Sequence, residues 1–293
     1  MERRKVVVVM KDLAEFMVFC PLLRRLKDEG IIVTTVAEGR ALGRLYEVGL
    51  GCDALKPKPE RVDENGCRQD IEASGFLKEY RPDLVLTGLG VPINLGEKFG
   101  LAANSLGIKL GYVLDLWGAE SRSQAVPDFI CTLDAVGEKS IRGWQPFAGK
   151  VPRVYVTGSP ALDQLSNVEE PEYGEVLGRI RNMEGPVVLF VGQDESTTPA
   201  LRGLVASLNG LGKDYVLIPR FHSKFLRRLE LLAEWNGILG EARGNVLNVS
   251  SEVSIQKIMR VARFTVSIYS NALLEAAVLG SLPVSWISDI GRE

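Results

Sequence analysis

Histidine occurs once in the 293 residues, at His222, and cysteine four times, at Cys20, Cys52, Cys67 and Cys131, with no CxxC pair. A catalytic zinc centre needs several nitrogen or sulfur ligands at short spacing, so a His-based site is nearly excluded and no metal is expected. Scattered cysteines in a chain of this length read as small buried hydrophobes rather than a disulfide framework. No apolar run approaches the roughly 20 residues that span a bilayer. The opening Met1–Met10 has too short an apolar stretch for a signal peptide and ends at Lys11-Asp12, so it reads as a first core strand in a cytoplasmic protein. Positive charge is not in excess: 35 Lys and Arg against 37 Asp and Glu leave a formal net charge of −2, so the global basic signature of a nucleic-acid binder is missing. GxGxxG and Walker sequences are absent as well, which removes support for dinucleotide and P-loop readings.

What is present is apolar material for two cores, 46% of residues, arranged as short apolar runs alternating with amphipathic stretches. In the first half, strands are expected at Lys5–Met10, Ile31–Val36, Asp83–Thr87, Lys109–Leu114, Phe129–Leu133 and Val154–Thr157. Helical stretches fall near 12–28, 40–49, 67–80 and 94–106. Arg81-Pro82-Asp83 marks a stop before a strand, because the residue ahead of proline avoids the α region. The second half restarts the pattern, with strands at Val187–Val191, Tyr215–Pro219, Val246–Val249, Phe264–Tyr269 and Val284–Ile287. Its helices fall near 172–182, 199–210, 223–237, 252–261 and 272–279. Between the halves, turn residues at 157–163 precede the acidic, proline-containing stretch Asn167–Pro171. The expected fold is α/β, with two doubly wound Rossmann-like domains, 1–158 and 159–293, facing across a cleft. The chain stops soon after its last strand, which allows a missing final element in the second domain.

The segment Ser270–Val284 is the most informative. It follows the apolar run Phe264–Tyr269, and Ala272–Leu279 are strong helix formers ended by Gly280. Ser270 and Asn271 therefore stand at a helix N-terminus, where backbone N–H groups and the helix dipole attract an anion. Glu275 lies one turn further in, suited to a sugar hydroxyl beside that anion. Together they fit the diphosphate and ribose of a nucleotide-sugar; equally, Ser or Asn is simply a good N-cap for an α/β crossover.

Three segments carry a resemblance. Val156-Thr-Gly-Ser-Pro-Ala-Leu-Asp163 resembles the interdomain V-T-G-x-x-x-x-D segment of UDP-N-acetylglucosamine 2-epimerases and related proteins. Ser270–Gly280 resembles the S-x-x-x-x-E-A-x-x-x-G element of the GT-B glycosyltransferase superfamily. Leu217-Ile-Pro-Arg-Phe-His222 is similar to the R-x-H-P strand end of capsule and teichoic-acid-type transferases, with Ser223 in place of the proline. The resemblance implies a GT-B-like fold whose second domain binds a nucleotide-activated donor and whose first supplies the acceptor side. It further implies that His222 and Arg220 approach donor phosphate, and that the loop carrying Gly192 and Gln193 lies near the phosphates or transferred sugar. Asp194 and Glu195 in that loop count against a tight phosphate cradle. The loop carrying Ser250 and Val253 would pack on the nucleotide base; read alone, it is an N-cap followed by an acid.

In the first half, Asp115-Leu-Trp117-Gly118-Ala119-Glu120 leaves a strand. Trp117 suits stacking on a sugar or packing a hinge, and Asp115 or Glu120 suits the role of general base on an acceptor hydroxyl. The leading expectation is a glycosyltransferase using a UDP- or CMP/CDP-linked sugar as substrate, with no cofactor and an unidentified acceptor; a homodimer is allowed. A 2-epimerase-like reaction stands second, since Tyr269-Ser270-Asn271 replaces the Gly-Gly-rich turn expected of epimerases. Third is a non-catalytic nucleotide-sugar-binding or scaffold protein on the same fold.

Overall fold

The computed structural model of the chain describes residues 3–49, 73–89, 95–143, 151–166, 175–193, 197–221, 225, 228–249 and 253–286. The chain divides into two compact units, Met1–Gln164 and Leu165–Glu293. The division falls within a helix, Pro160–Ser166, where the sequence reading has a turn. Proline opens this helix because the first turn needs no N–H there.

The first unit begins with β1 (Lys5–Met10), α1 (Leu13–Asp28), β2 (Ile32–Ala37) and α2 (Gly39–Glu47). It continues with α3 (Ala73–Tyr80), β3 (Leu84–Thr87), α4 (Leu95–Leu106) and β4 (Lys109–Val113). A 3-10 turn at Ala119–Arg122, β5 (Phe129–Thr132), α5 (Ala135–Gly143), β6 (Arg153–Val156) and α6 (Pro160–Ser166) complete it. The sheet order is β2-β1-β3-β4-β5-β6, and every pairing is parallel. Parallel strands covered on both faces read as unbroken apolar runs, and β1 shows why. Val7 and Val9 enter one core with Leu77 and Phe99, while Val6, Val8 and Met10 enter another with Phe16, Phe19 and Leu23. Asp12 starts α1 through a capping box: its carboxylate accepts from Glu15 N–H at 2.9 Å, and Glu15 accepts from Asp12 N–H at 3.4 Å.

The second unit contains α7 (Glu175–Arg181), β7 (Val187–Gly192), α8 (Thr197–Gly210), β8 (Val216–Phe221) and α9 (Leu229–Gly240). It closes with β9 (Asn245–Val246), α10 (Ile255–Met259), β10 (Phe264–Ser267), α11 (Ala272–Val278) and β11 (Leu282–Ser285). Its parallel sheet runs β11-β10-β7-β8-β9. Trp235 on α9 is fully buried in the core, stacked on Phe221 at 4.3 Å, with its ring N–H donating to Thr198 Oγ1 at 2.8 Å. Among the described residues no helix is long and apolar enough to cross a membrane.

Strand β9 is shorter than the Val246–Val249 expected, and Pro219 accounts for it. The Leu247 N–H reaches Leu217 O at 2.9 Å, so odd-numbered residues of β8 face β9. Pro219 is the next to face that way and has no N–H to offer, so the ladder stops. At the other edge, α11 ends in a Schellman turn with Gly280 at φ +85°: Ser281 N–H donates to Ala276 O at 2.9 Å.

Candidate functional site

In the second unit the strand order reverses between β7 and β10, and both chains leave the sheet at its carboxyl end. Open parallel sheets form their ligand crevices there. Gly192 ends β7; a Cβ on it would lie 2.7 Å from Thr197 Cγ2 and 2.8 Å from Phe221 Cδ1, so the chain's own packing requires the glycine. Gln193 follows, its N–H donating to Thr197 Oγ1 at 2.8 Å and its side-chain oxygen accepting from Tyr269 N–H at 3.4 Å. That second bond joins the two strand exits across the reversal point. Ser267 Oγ braces the same place from within the sheet by donating to Val191 O at 2.7 Å.

Beyond β10 the chain turns through Tyr269, which is 61% exposed, then Ser270 and Asn271. Ser270 Oγ accepts from Ala272 N–H at 3.2 Å, and Ser270 O from Leu273 N–H at 3.0 Å. Asn271 is helical and makes no side-chain cap bond; its carbonyl accepts from Leu274 and Glu275 N–H. Much of the donor capacity expected for an anion is thus used inside this short helix. Glu275 is half-buried, and its Oε2 accepts from Gln256 Nε2 at 2.8 Å. Burial pushes its carboxyl above the ordinary range, against the lowering effect of the Gln256 bond.

Arg220 lies next to the end of β8, just past the proline that stops the β9 ladder. Its guanidinium fills the gap, donating from Nη1 to Val249 O at 3.1 Å and from Nη2 to Val253 O. Burial lowers its pKa, and among the described residues no carboxylate pairs with it. A half-buried cation whose partners among the described residues are neutral carbonyls keeps its charge available to an anion. His222 and Ser250 lie outside the described residues, as do Asp194, Glu195 and Ser223.

In the first unit, Asp115 stands just beyond β4 and is half-buried. Burial, with the Asp12 carboxylate second, pushes its carboxyl above the ordinary range; its own backbone and Arg122 pull it back. Glu120 differs from its expected role as an open base: it is 2% exposed in the 3-10 turn and accepts from Ser140 Oγ at 2.9 Å. Trp117 is 41% exposed and its ring N–H donates to Asp134 Oδ1 at 2.9 Å, laying the indole over the start of α5. Asp134 also accepts from Gly137 N–H, and these bonds hold its carboxyl below the ordinary range, the Gly137 bond first.

The structure therefore gathers Gly192, Gln193, Ser270, Asn271 and Glu275 around the reversal point, with Arg220 on β8 and Val253 hydrogen-bonded to it, and leaves Asp115, Trp117 and Glu120 in the other unit. Gln256 and Tyr269 were not singled out by sequence, since a lone amide or tyrosine after a strand has no periodic signature. No family model and no curated protein matches the chain. Solved structures do. It is similar to S. aureus MnaA in complex with UDP, at 13% identity and TM-score 0.72 over 97% of this chain and 79% of that one. It is similar to the Methanocaldococcus jannaschii UDP-GlcNAc 2-epimerase with UDP-GlcNAc and UDP, at 12% identity and TM-score 0.65, covering 96% and 83%. It is also similar to MurG of Acinetobacter baumannii, at 15% identity and TM-score 0.56, covering 98% and 80%. At such identities the likeness is one of fold: two Rossmann-like units of the GT-B type.

Proposed function

We propose that the second unit binds the nucleoside diphosphate of a UDP-sugar and that the protein is an enzyme transferring the sugar to an acceptor hydroxyl. The carrying observation is Arg220, a half-buried cation at the carboxyl end of the sheet, one strand from the reversal point, with no carboxylate paired to it among the described residues. UDP in the structure of MnaA, and UDP-GlcNAc with UDP in that of the Methanocaldococcus epimerase, support the choice of base. In this reading Arg220 and His222 take the diphosphate, Glu275 the ribose, and the segment from Ser250 to Val253 the base. Gln193, Ser270 and Asn271 line the phosphate side.

The reaction follows from where charge develops. The acceptor oxygen attacks the anomeric carbon, the bond from that carbon to the β-phosphate oxygen breaks, and UDP departs with the electron pair. Fixed cationic and dipolar groups at the diphosphate stabilise that departing charge, and such preorganised stabilisation lowers the barrier more than any other single device. Asp115 receives the acceptor's proton; its burial-raised carboxyl is a stronger base than an exposed aspartate. Asp115 beside Asp12 equally suits removal of a proton from sugar C2, so epimerisation is the second reading.

Calorimetric titration with UDP, CDP, GDP and ADP tests the first half. Selective UDP binding weakened by Arg220→Ala is expected; indifference to all four sinks the nucleotide assignment. Proton NMR of UDP-GlcNAc incubated with the protein, with and without a panel of sugar acceptors, tests the second half. Acceptor-dependent UDP release supports transfer, a C2 epimer supports the second reading, and unchanged substrate with intact UDP binding leaves a non-catalytic binder.

A further inference from the structure

Glu275 has one side-chain donor among the described residues, Gln256, and the two sit on different helices. Gln256 is the second residue of α10, which Ser254 opens as N-cap by accepting from Lys257 N–H at 3.3 Å. One residue earlier, the Val253 carbonyl takes the Arg220 guanidinium. The segment entering α10 is therefore pinned at two points, by Arg220 at Val253 and by Glu275 at Gln256. A hydrogen-bonded strap runs from Val249 O through Arg220, Val253 and Gln256 to Glu275, joining the cation to the carboxylate through a single short stretch of chain.

An ionised carboxylate has room for about four donors. Gln256 occupies one site on Oε2, which orients the carboxylate, and among the described residues no side-chain donor takes Oε1. A vicinal diol offers the complementary donors. Resting on the nucleotide assignment above, we propose that Gln256 is a positioning residue: it orients the Glu275 carboxylate for the ribose diol and so sets the preference for ribonucleotide over dideoxyribonucleotide. It touches no ligand itself. A packing role would support the whole site evenly, whereas a positioning role acts on the sugar alone, and the two are separable.

The test compares dissociation constants of UDP and 2′,3′-dideoxy-UDP by calorimetry for wild type, Glu275→Ala, Gln256→Glu and Gln256→Ala. Wild type is expected to favour UDP by about tenfold or more, the scale of a hydrogen bond to a charged group. Glu275→Ala should bring the two ligands together. Gln256→Glu keeps the shape but sets a second carboxyl against Glu275, which repels it or shares its proton, and should erase most of the preference while binding dideoxy-UDP as wild type does. Gln256→Ala, which adds no charge, should do the same if the glutamate variant fails to fold. A folded Gln256 variant that retains the wild-type ratio, or that loses both ligands equally, overturns the proposal. A wild type that binds neither ligand sinks the underlying nucleotide assignment, and this inference with it. A wild type that binds both equally removes the ribose role of Glu275, and the proposal with it, but not UDP binding.

Discussion

Glu275 bears two opposed demands. Burial raises its carboxyl, so protonation favours the folded state over the unfolded one; the stability this confers is present below the ordinary value of 4.5 and is lost as pH rises through the folded-state value. Glu275→Gln should therefore melt above wild type at pH 8 without nucleotide, with the gap closing toward pH 4, as scanning fluorimetry across pH would show. Glu275→Ala should weaken UDP by about 1–3 kcal/mol, the cost of losing a charged hydrogen bond. Asp115→Asn should lower turnover by about 10²-fold or more while donor affinity stays put, since a general base acts on the proton in flight; a collapse of affinity would move Asp115 into donor binding. At this scale the sequence is an uneven guide. Ser270 and Glu275 could be picked out because a strand-turn-helix pattern orders them. Glu120 could not be separated from Asp115, because burial in a 3-10 turn against Ser140 is a tertiary fact. Trp117 suits a sugar platform and a hinge-packing residue alike, and only the structure shows its ring N–H tied to Asp134.

The elements themselves were readable wherever an apolar run is long. All four residues of β10 and all six of β7 fall inside expected strands or within a residue of them, because strands covered on both faces need continuous apolar sequence. Helix α5 was not expected, since Ala135–Gly143 has too few apolar residues to show a stripe. Strand β9 was overextended because the residue that stops it sits on a different strand. Pro219→Val would restore the missing donor, so the β8–β9 ladder should lengthen. Hydrogen exchange at Leu247–Val249 should slow, and UDP affinity should fall as Arg220 loses its place at Val249. Faster or unchanged exchange would show that the loop, not proline, ends the strand. Packing gives a second expectation: Trp235→Ala, which removes the ring stacked on Phe221 and near Phe225, should cost about 3–5 kcal/mol in urea titration.

For the whole molecule, each unit has its own apolar core, and the candidate nucleotide groups belong to the second. Calorimetric unfolding should then show two transitions, with UDP at about 100 times its dissociation constant adding near 2.7 kcal/mol to one of them. Equal movement of both, or a single transition, would mean the units unfold together. The two-unit pattern was visible in the restart of strands after residue 170, although helix α6 crosses the division where turn residues stood. The strand orders carry one more consequence, for the ribosome. In β2-β1-β3-β4-β5-β6, and again in β11-β10-β7-β8-β9, each strand in order of synthesis joins an edge of what is already paired. Nothing has to be pried open to admit a latecomer, so both sheets can be laid down as the chain emerges, the first unit closing while the second is still being made. Protease resistance of arrested nascent chains would appear in two steps, and the nucleotide groups would come together only with the second.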